Sequence, residues 1–291
     1  MLLYSQFERD KEMNKLSLNR QAQIIKVLCE GNSLRSTARI TDTAVNTVVK
    51  LLKDVGAACL KYQDKVMRDL PCQKLQCDEI WSFVYSKDKN VPDNHKGKFG
   101  YGDVWTFTAI DADTKLVPCW KVGNRNYECA YEFILDLKDR LANRVQLSTD
   151  GHKMYIEAIE KAFGSEIDYA QLIKLYGQEF DDKEKRYSPA KCVGADKRVV
   201  QGNPDSSQIS TSYVERQNLT MRMCMRRFTR LTNAFSKKIE NHILALALYF
   251  MYYNFARPHK SLANPYPRTP AMAAGIENHI WNIEDIIKIM L

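Results

Sequence analysis

The sequence predicts a mixed α/β fold, a sheet flanked by helices and preceded by a small all-α unit. Three observations carry that expectation. Apolar residues recur at helical spacing over the first seventy positions, and the pattern changes to strand-like alternation after Pro71. From there the elements read strand, strand, strand, helix, strand, helix, strand, loop, helix. The bulk numbers suit one large domain plus a small one: 291 residues, 45% hydrophobic and 27% charged.

In "LNRQAQIIKVLCEGNSLRSTARITDTAVNTVVKLLKDVG", residues 19–30 place Ala22, Ile25, Val27 and Leu28 at helical spacing and end at Gly31-Asn32. Ser33 caps a second helix, Leu34 to Arg39, and a third runs from about Thr43 to Asp54. Its inner face is expected to hold Ala44, Val48, Leu51 and Leu52. Its outer face presents Thr43, Asn46, Thr47 and Lys50, short polar groups that reach base edges or phosphates. This is the rhythm of a helix-turn-helix over residues 17–60, behind an N-terminal segment 1–16. A three-helix bundle used only for packing has the same pattern.

"KLQCDEIWSFVY" alternates, with Leu75, Cys77, Trp81, Phe83 and Tyr85 on one face and Gln76, Asp78 and Ser82 on the other. Glu79 then points away from Asp78, and without a bulge the two share no site. "VWTFTAIDADTKLVPCWKV" reads as a hairpin whose turn takes Asp111 and Asp113. A helix follows from Tyr127 to Asn143. The strand in "RVQLSTDGHKMY" ends at Asp150, followed by glycine, a common way to project a carboxylate into a cleft. "IDYAQLIKLYG" is one more strand. From Gly177 to Ser210 the chain is polar and suggests a long surface loop.

"TSYVERQNLTMRMCMRRF" then reads as one helix. Glu215, Arg222, Arg226 and Arg230 lie on one side of it, and Met221, Cys224, Met225, Phe228 and Leu231 on the other. "ENHILALALYFMYYNF" is apolar enough to be core, and a short helix ends the chain.

This order is the ribonuclease H-like plan over residues 70–256, with a C-terminal extension over 257–291. Such a domain brings Asp78, Asp150 and Glu215 to one edge of the sheet. Three carboxylates are hard oxygen ligands, suited to Mg²⁺ and poorly to zinc. Two such ions roughly 3.5–4 Å apart activate a water or a 3′-hydroxyl at a phosphodiester. His152, two residues after Asp150, suits either a contact to a scissile phosphate or a helix start at the surface.

Charge and cysteine usage narrow the class. The formal charge is +8, and Glu215 to Lys260 holds nine basic against two acidic residues, pointing to a polyanion partner. Eight cysteines without a CxxC pair exclude zinc-ribbon spacing and suit reduced thiols. No secretory signal is visible, and the longest apolar run, "ILALALYFMYY", is too short for a membrane span. The expectation is a cytoplasmic protein with no membrane partner.

"CDEIWSFV", "WTFTAIDADTK", "STDGHKMY", "STSYVERQNLTMRMCMRRFTRLTNAFSKK" and "MYYNFARPHKSL" resemble the bacterial DDE transposases of the insertion-sequence-1 type, in the ribonuclease H-like and retroviral integrase superfamily. The resemblance covers about residues 17–275. It implies that Asp78, Asp150 and Glu215 are catalytic and hold Mg²⁺ or Mn²⁺ as two ions. Arg222, seven residues after the glutamate, would contact DNA, with Arg226 and Arg230 beside it, while Asn46, Thr47 and Lys50 read the element's ends. It further implies double-stranded DNA as partner, cleavage at the ends followed by strand transfer, and a homo-oligomer associated with the nucleoid when bound. A catalytically idle repressor and a ribonuclease H-like nuclease are the alternatives.

Overall fold

The computed structural model describes residues 16–177, 192–229 and 234–290. Helix α1 (Leu18–Cys29) starts where the Ser17 hydroxyl accepts the Arg20 amide N–H. It ends at Gly31, whose φ of +79° suits glycine. Ser33 caps α2 (Leu34–Ile40) through the Ser36 amide, as its side-chain chemistry predicts. Helix α3 (Val45–Val66) runs well past the expected end at Asp54. Its buried stripe of Val48, Leu51, Leu52, Val55 and Cys59 continues across Gly56, so the periodicity does not stop at the glycine. Ala44, expected inside, is exposed at the N-cap.

Six strands form one sheet in the order β3-β2-β1-β4-β5-β6. They are β1 (Lys74–Val84), β2 (Gly102–Asp111), β3 (Cys119–Gly123), β4 (Gln146–Asp150), β5 (Asp168–Tyr176) and β6 (Cys192–Gln201). The first three pair antiparallel, β1, β4 and β5 pair parallel, and β6 returns antiparallel to β5. This is the mixed sheet between helical layers that the element order predicts. Asp111 ends β2 and opens the turn, its carboxylate accepting from the Thr114 amide and hydroxyl.

The expected loop over 177–210 contains β6. None of its side chains is buried and most are exposed, so the strand has no apolar alternation to detect.

Helices α4 (Tyr127–Lys138) and α5 (Met154–Phe163) cover one face, burying Phe133, Ile134, Leu137, Tyr155 and Ile159. Helices α6 (Ser212–Cys224) and α7 (Ile239–Met251) cover the other. Gln76 of β1 accepts from the Tyr213 and Val214 amides of α6, and Trp120 of β3 stacks on Phe250 of α7 at 5.3 Å.

The single helix expected through Leu231 stops at Cys224, with Met225 extended and a 3₁₀ turn over Arg226–Phe228. The Cys224 carbonyl abuts Gly31, where a Cβ would lie 2.5 Å from its oxygen. A longer helix would run into that turn. Helix α7 passes into a π-helical turn, Tyr252–Ala256, and two short helices follow, α8 (Pro270–Ala273) and α9 (Ile283–Lys288). No helix among the described residues is long and apolar enough to cross a membrane.

One continuous apolar cluster runs from Ile24 and Ile25 of α1 through α3 and the sheet to Ile286 of α9. The opening helices therefore share a core with the sheet. Gln63 of α3 donates to the Ala247 carbonyl of α7 at 3.0 Å. Buried Arg140 joins Asp64 of α3 to Asp136 of α4, both at 2.8 Å.

The α3–α7 crossing is closest at Gly56, where a Cβ would lie 2.5 Å from the Leu244 carbonyl oxygen and 2.8 Å from its Cβ. Gly56→Ala should therefore lower stability by about 1–3 kcal/mol through overpacking, although alanine favours an isolated helix by about 1 kcal/mol. Denaturant unfolding of the two proteins measures the sign.

Candidate active site

Parallel pairing places the site. The β1–β4 ladder ends at Cys77↔Thr149, so Asp78 and Asp150 are the next residues of adjacent strands, at the sheet's C-terminal edge. Beyond it β1 continues against β2 alone, through Asp78↔Thr108 and Glu79↔Phe107. Together with Thr211 and Glu215 of α6, His152 and Lys174, the two aspartates line a cleft of about 500 Å³. The structure thus brings all three acids named from the sequence to one cleft.

They are not equivalent there. Oxygens of Asp78, Glu79 and Asp150 lie within 4.8 Å of one another. This corrects the expectation that Glu79 and Asp78 share no site. The two do occupy opposite faces, since Glu79 accepts from the Tyr155 hydroxyl of α5 at 3.0 Å and Asp78 from the Asn218 amide of α6 at 2.8 Å. The β1–β4 ladder has ended here, so carboxylates from both faces of β1 come within reach of Asp150, and no bulge is needed.

Glu215 sits in the first turn of α6 and is held differently. Its carboxylate accepts from the Thr211 hydroxyl at 2.6 Å and forms an ion pair with Lys174 of β5. Burial opposes the charge on Lys174, but the Glu215 carboxylate outweighs it and holds the ammonium above its ordinary range.

Burial, then the neighbouring Glu79 and Asp150 carboxylates, push Asp78 up to about 7, and the backbone bond that lowers it does not compensate. Burial also raises Glu79, against the lowering pull of Arg125 at 2.5 Å and of Tyr155. Arg125 stacks on Trp105 at 4.6 Å. His152 donates its backbone N–H to Asp150 Oδ1 at 3.0 Å, and its ring accepts from the Met154 amide at the start of α5. Asn218 Oδ1, beside Asp78, is buried without a hydrogen-bond partner. A tight group of hard carboxylate oxygens, whose mutual repulsion a cation would relieve, and an orphaned carbonyl oxygen fit a divalent cation.

The basic residues divide. Arg222 lies on α6 and is half-buried. Arg226 is exposed but off the expected face, because the helix ends before it. Arg230 lies outside the described residues. Half-buried Arg227 donates to Ser236 at 2.8 Å, and burial lowers its guanidinium to about 10. Asn46 and Lys50 are exposed and Thr47 half-buried in the first two turns of α3.

Sequence reasoning passed over several residues. Asn218, three after Glu215, carries a detectable signal as a polar residue on the inward face of α6, as does Gln76, two before Asp78 on a buried strand. Lys174 has none, because only the pairing of β5 sets it opposite α6.

No family model and no curated protein matches the chain. Among solved structures, a piggyBac transposase synaptic complex with hairpin DNA is similar at a TM-score of 0.44 and 8% identity, over 94% of this chain and 69% of that one. The Mos1 mariner paired end complex with Mn is similar at 0.23 and 12% identity, over 53% and 60%. A pre-cleavage Mos1 transpososome is similar at 0.22 and 10% identity, over 54% and 60%.

The upward shift of the Asp78 pKa has a definite sign. A carboxyl that protonates more readily when folded adds stability below its unfolded value near 4, and that contribution is lost as pH rises through about 7. Asp78→Asn should raise Tm by about 3 °C at pH 8 and have little effect near pH 4. Mn²⁺ should raise Tm of the wild type at pH 8 and not that of the variant. Thermal unfolding with and without metal measures both.

Proposed function

We propose that the chain is a DDE-type DNA transposase, a polynucleotidyl transferase that cuts DNA at the ends of an insertion sequence and joins them to a target. The observation that carries this reading is the convergence of Asp78, Asp150 and Glu215 on one cleft at the C-terminal edge of the sheet. Asp78, Asp150 and Glu215 would hold Mg²⁺ or Mn²⁺, with Glu79 beside them. When bound, a pair of such ions supplies Lewis-acid activation of a water or 3′-hydroxyl and of the phosphodiester it attacks.

The chain's own residues prepare this site. Asn218 and the His152 amide orient Asp78 and Asp150. Gln76 binds two amides at the start of α6, fixing the turn that carries Glu215. Lys174 balances the Glu215 charge and lines the cleft, where its ammonium would bind a DNA phosphate once a cation holds Glu215. Arg222 and Arg226 would contact DNA beyond the cleft. Asn46, Thr47 and Lys50 on α3 would meet the duplex as a helix-turn-helix does, giving end recognition over residues outside the cleft. Cutting and joining two ends calls for a homo-oligomer, and the protein would act on DNA in the cytoplasm.

Nicking of a labelled fragment carrying the element's own end tests the reading. Wild type should cut at the end with Mg²⁺ or Mn²⁺. Glu215→Gln should bind equally and cut about 10²–10³-fold more slowly, the range for loss of one electrostatic group. Binding without cutting by either protein would favour the repressor, and equal cutting by both would place the chemistry elsewhere.

A further inference from the structure

The connection between β1 and β2, residues 85–101, is an arm rather than a tight turn. Its root is about 20 Å beyond Asp78, six extended residues along β1 at roughly 3.3 Å each. It therefore projects from the same edge of the sheet as the acidic cleft. The arm is firmly rooted. The Tyr85 amide donates to the Ser236 carbonyl at 2.8 Å, Phe83 packs on Phe235 at 4.9 Å, and a Cβ on Gly100 would lie 2.9 Å from Ile239 of α7.

Two features of its surface go together. Tyr85, His95 and Tyr101 pack as a ring cluster, His95 stacked on Tyr101 at 4.1 Å, leaving Tyr85 41% and Phe99 47% exposed. Around them stand exposed Lys87, Lys89, Lys96 and Lys98. The arm's two acids are engaged, Asp88 by the Asp103 amide at the start of β2 at 2.7 Å and Asp93 by Lys96 at 2.6 Å. The lysine surface continues into exposed Lys237 and Lys238 beside the root.

Lysines alone would suit the outside of a duplex. Exposed rings held among them gain nothing there, but they gain from bases that have left the stack. We propose that the β1–β2 arm binds unpaired nucleotides of the DNA strand leaving the cleft, Phe99 and Tyr85 stacking on bases while Lys87, Lys89 and Lys98 bind phosphates. This rests on the DNA-cutting reading of the cleft and names the form of DNA held beside it.

Fluorescence anisotropy of the full chain without divalent metal tests it, with a labelled duplex whose end is either splayed or blunt. Wild type should prefer the splayed end. Phe99→Ala, a change at an exposed side chain, should weaken binding to it about 10-fold and leave the blunt duplex unchanged. The triple variant Lys87→Gln, Lys89→Gln, Lys98→Gln should weaken splayed-end binding and lower its log–log salt slope by about 2, near 0.7 per lost contact. No preference for the splayed end, or Phe99→Ala binding it as wild type does, overturns the proposal. Nicking with Mn²⁺ is read in parallel. A wild type that never cuts yet prefers splayed DNA through the arm removes the cutting reading and keeps the arm. A wild type that cuts while both arm variants bind and cut as it does removes the arm alone.

Discussion

The parallel ladder between β1 and β4 is the constraint on which the cleft depends. It begins at Lys74↔Gln146 and ends at Cys77↔Thr149, so the next residue on each strand is an aspartate. A slip of one residue would turn one carboxylate to the other face of the sheet. Register is held from below, where the strands bury Leu75, Cys77 and Leu147 against the helices of that face. Like charges are thus held together by apolar packing, and burial first, then the neighbouring carboxylates, push Asp78 up.

The third carboxylate arrives from the other side by separate means. Buried Gln76, one strand period before Asp78, ties the first turn of α6 to β1. Helix α6 ends against the turn after α1, and α7 is pinned to α3 at Gly56. The opening helices therefore bear on where Glu215 stands, through packing rather than contact. Arg140, between Asp64 and Asp136, links α3 to the opposite helical layer as well.

Within the cleft, each acid has its own arrangement of compensation. Glu79 pairs with Arg125 and accepts from the Tyr155 hydroxyl, Glu215 pairs with Lys174 and accepts from the Thr211 hydroxyl, while Asp78 accepts from a neutral amide. Charge is balanced at the two flanks and left unbalanced in the middle. That central imbalance is what a divalent cation would relieve.

The sequence by itself determined the local elements and the identity of the acids. Ser17 and Ser33 mark helix starts, the alternation around Asp78 marks a buried strand, and Asp150-Gly151 marks a strand end, because each rests on short-range period or capping. It also carried the element order that sets Asp78, Asp150 and Glu215 at one edge of the sheet, and the resemblance that implies their role. What depends on distant partners was not legible. The exposed strand β6 has no apolar period, and helix α6 stops at a glycine nearly two hundred positions earlier in the chain. Glu79 comes within reach of Asp78 and Asp150 only because the β1–β4 ladder ends beside it, and Lys174 meets Glu215 only across two strands and a helix. Tertiary structure decided these points, since a side chain's environment is set by which strand lies next to it and where that strand stops.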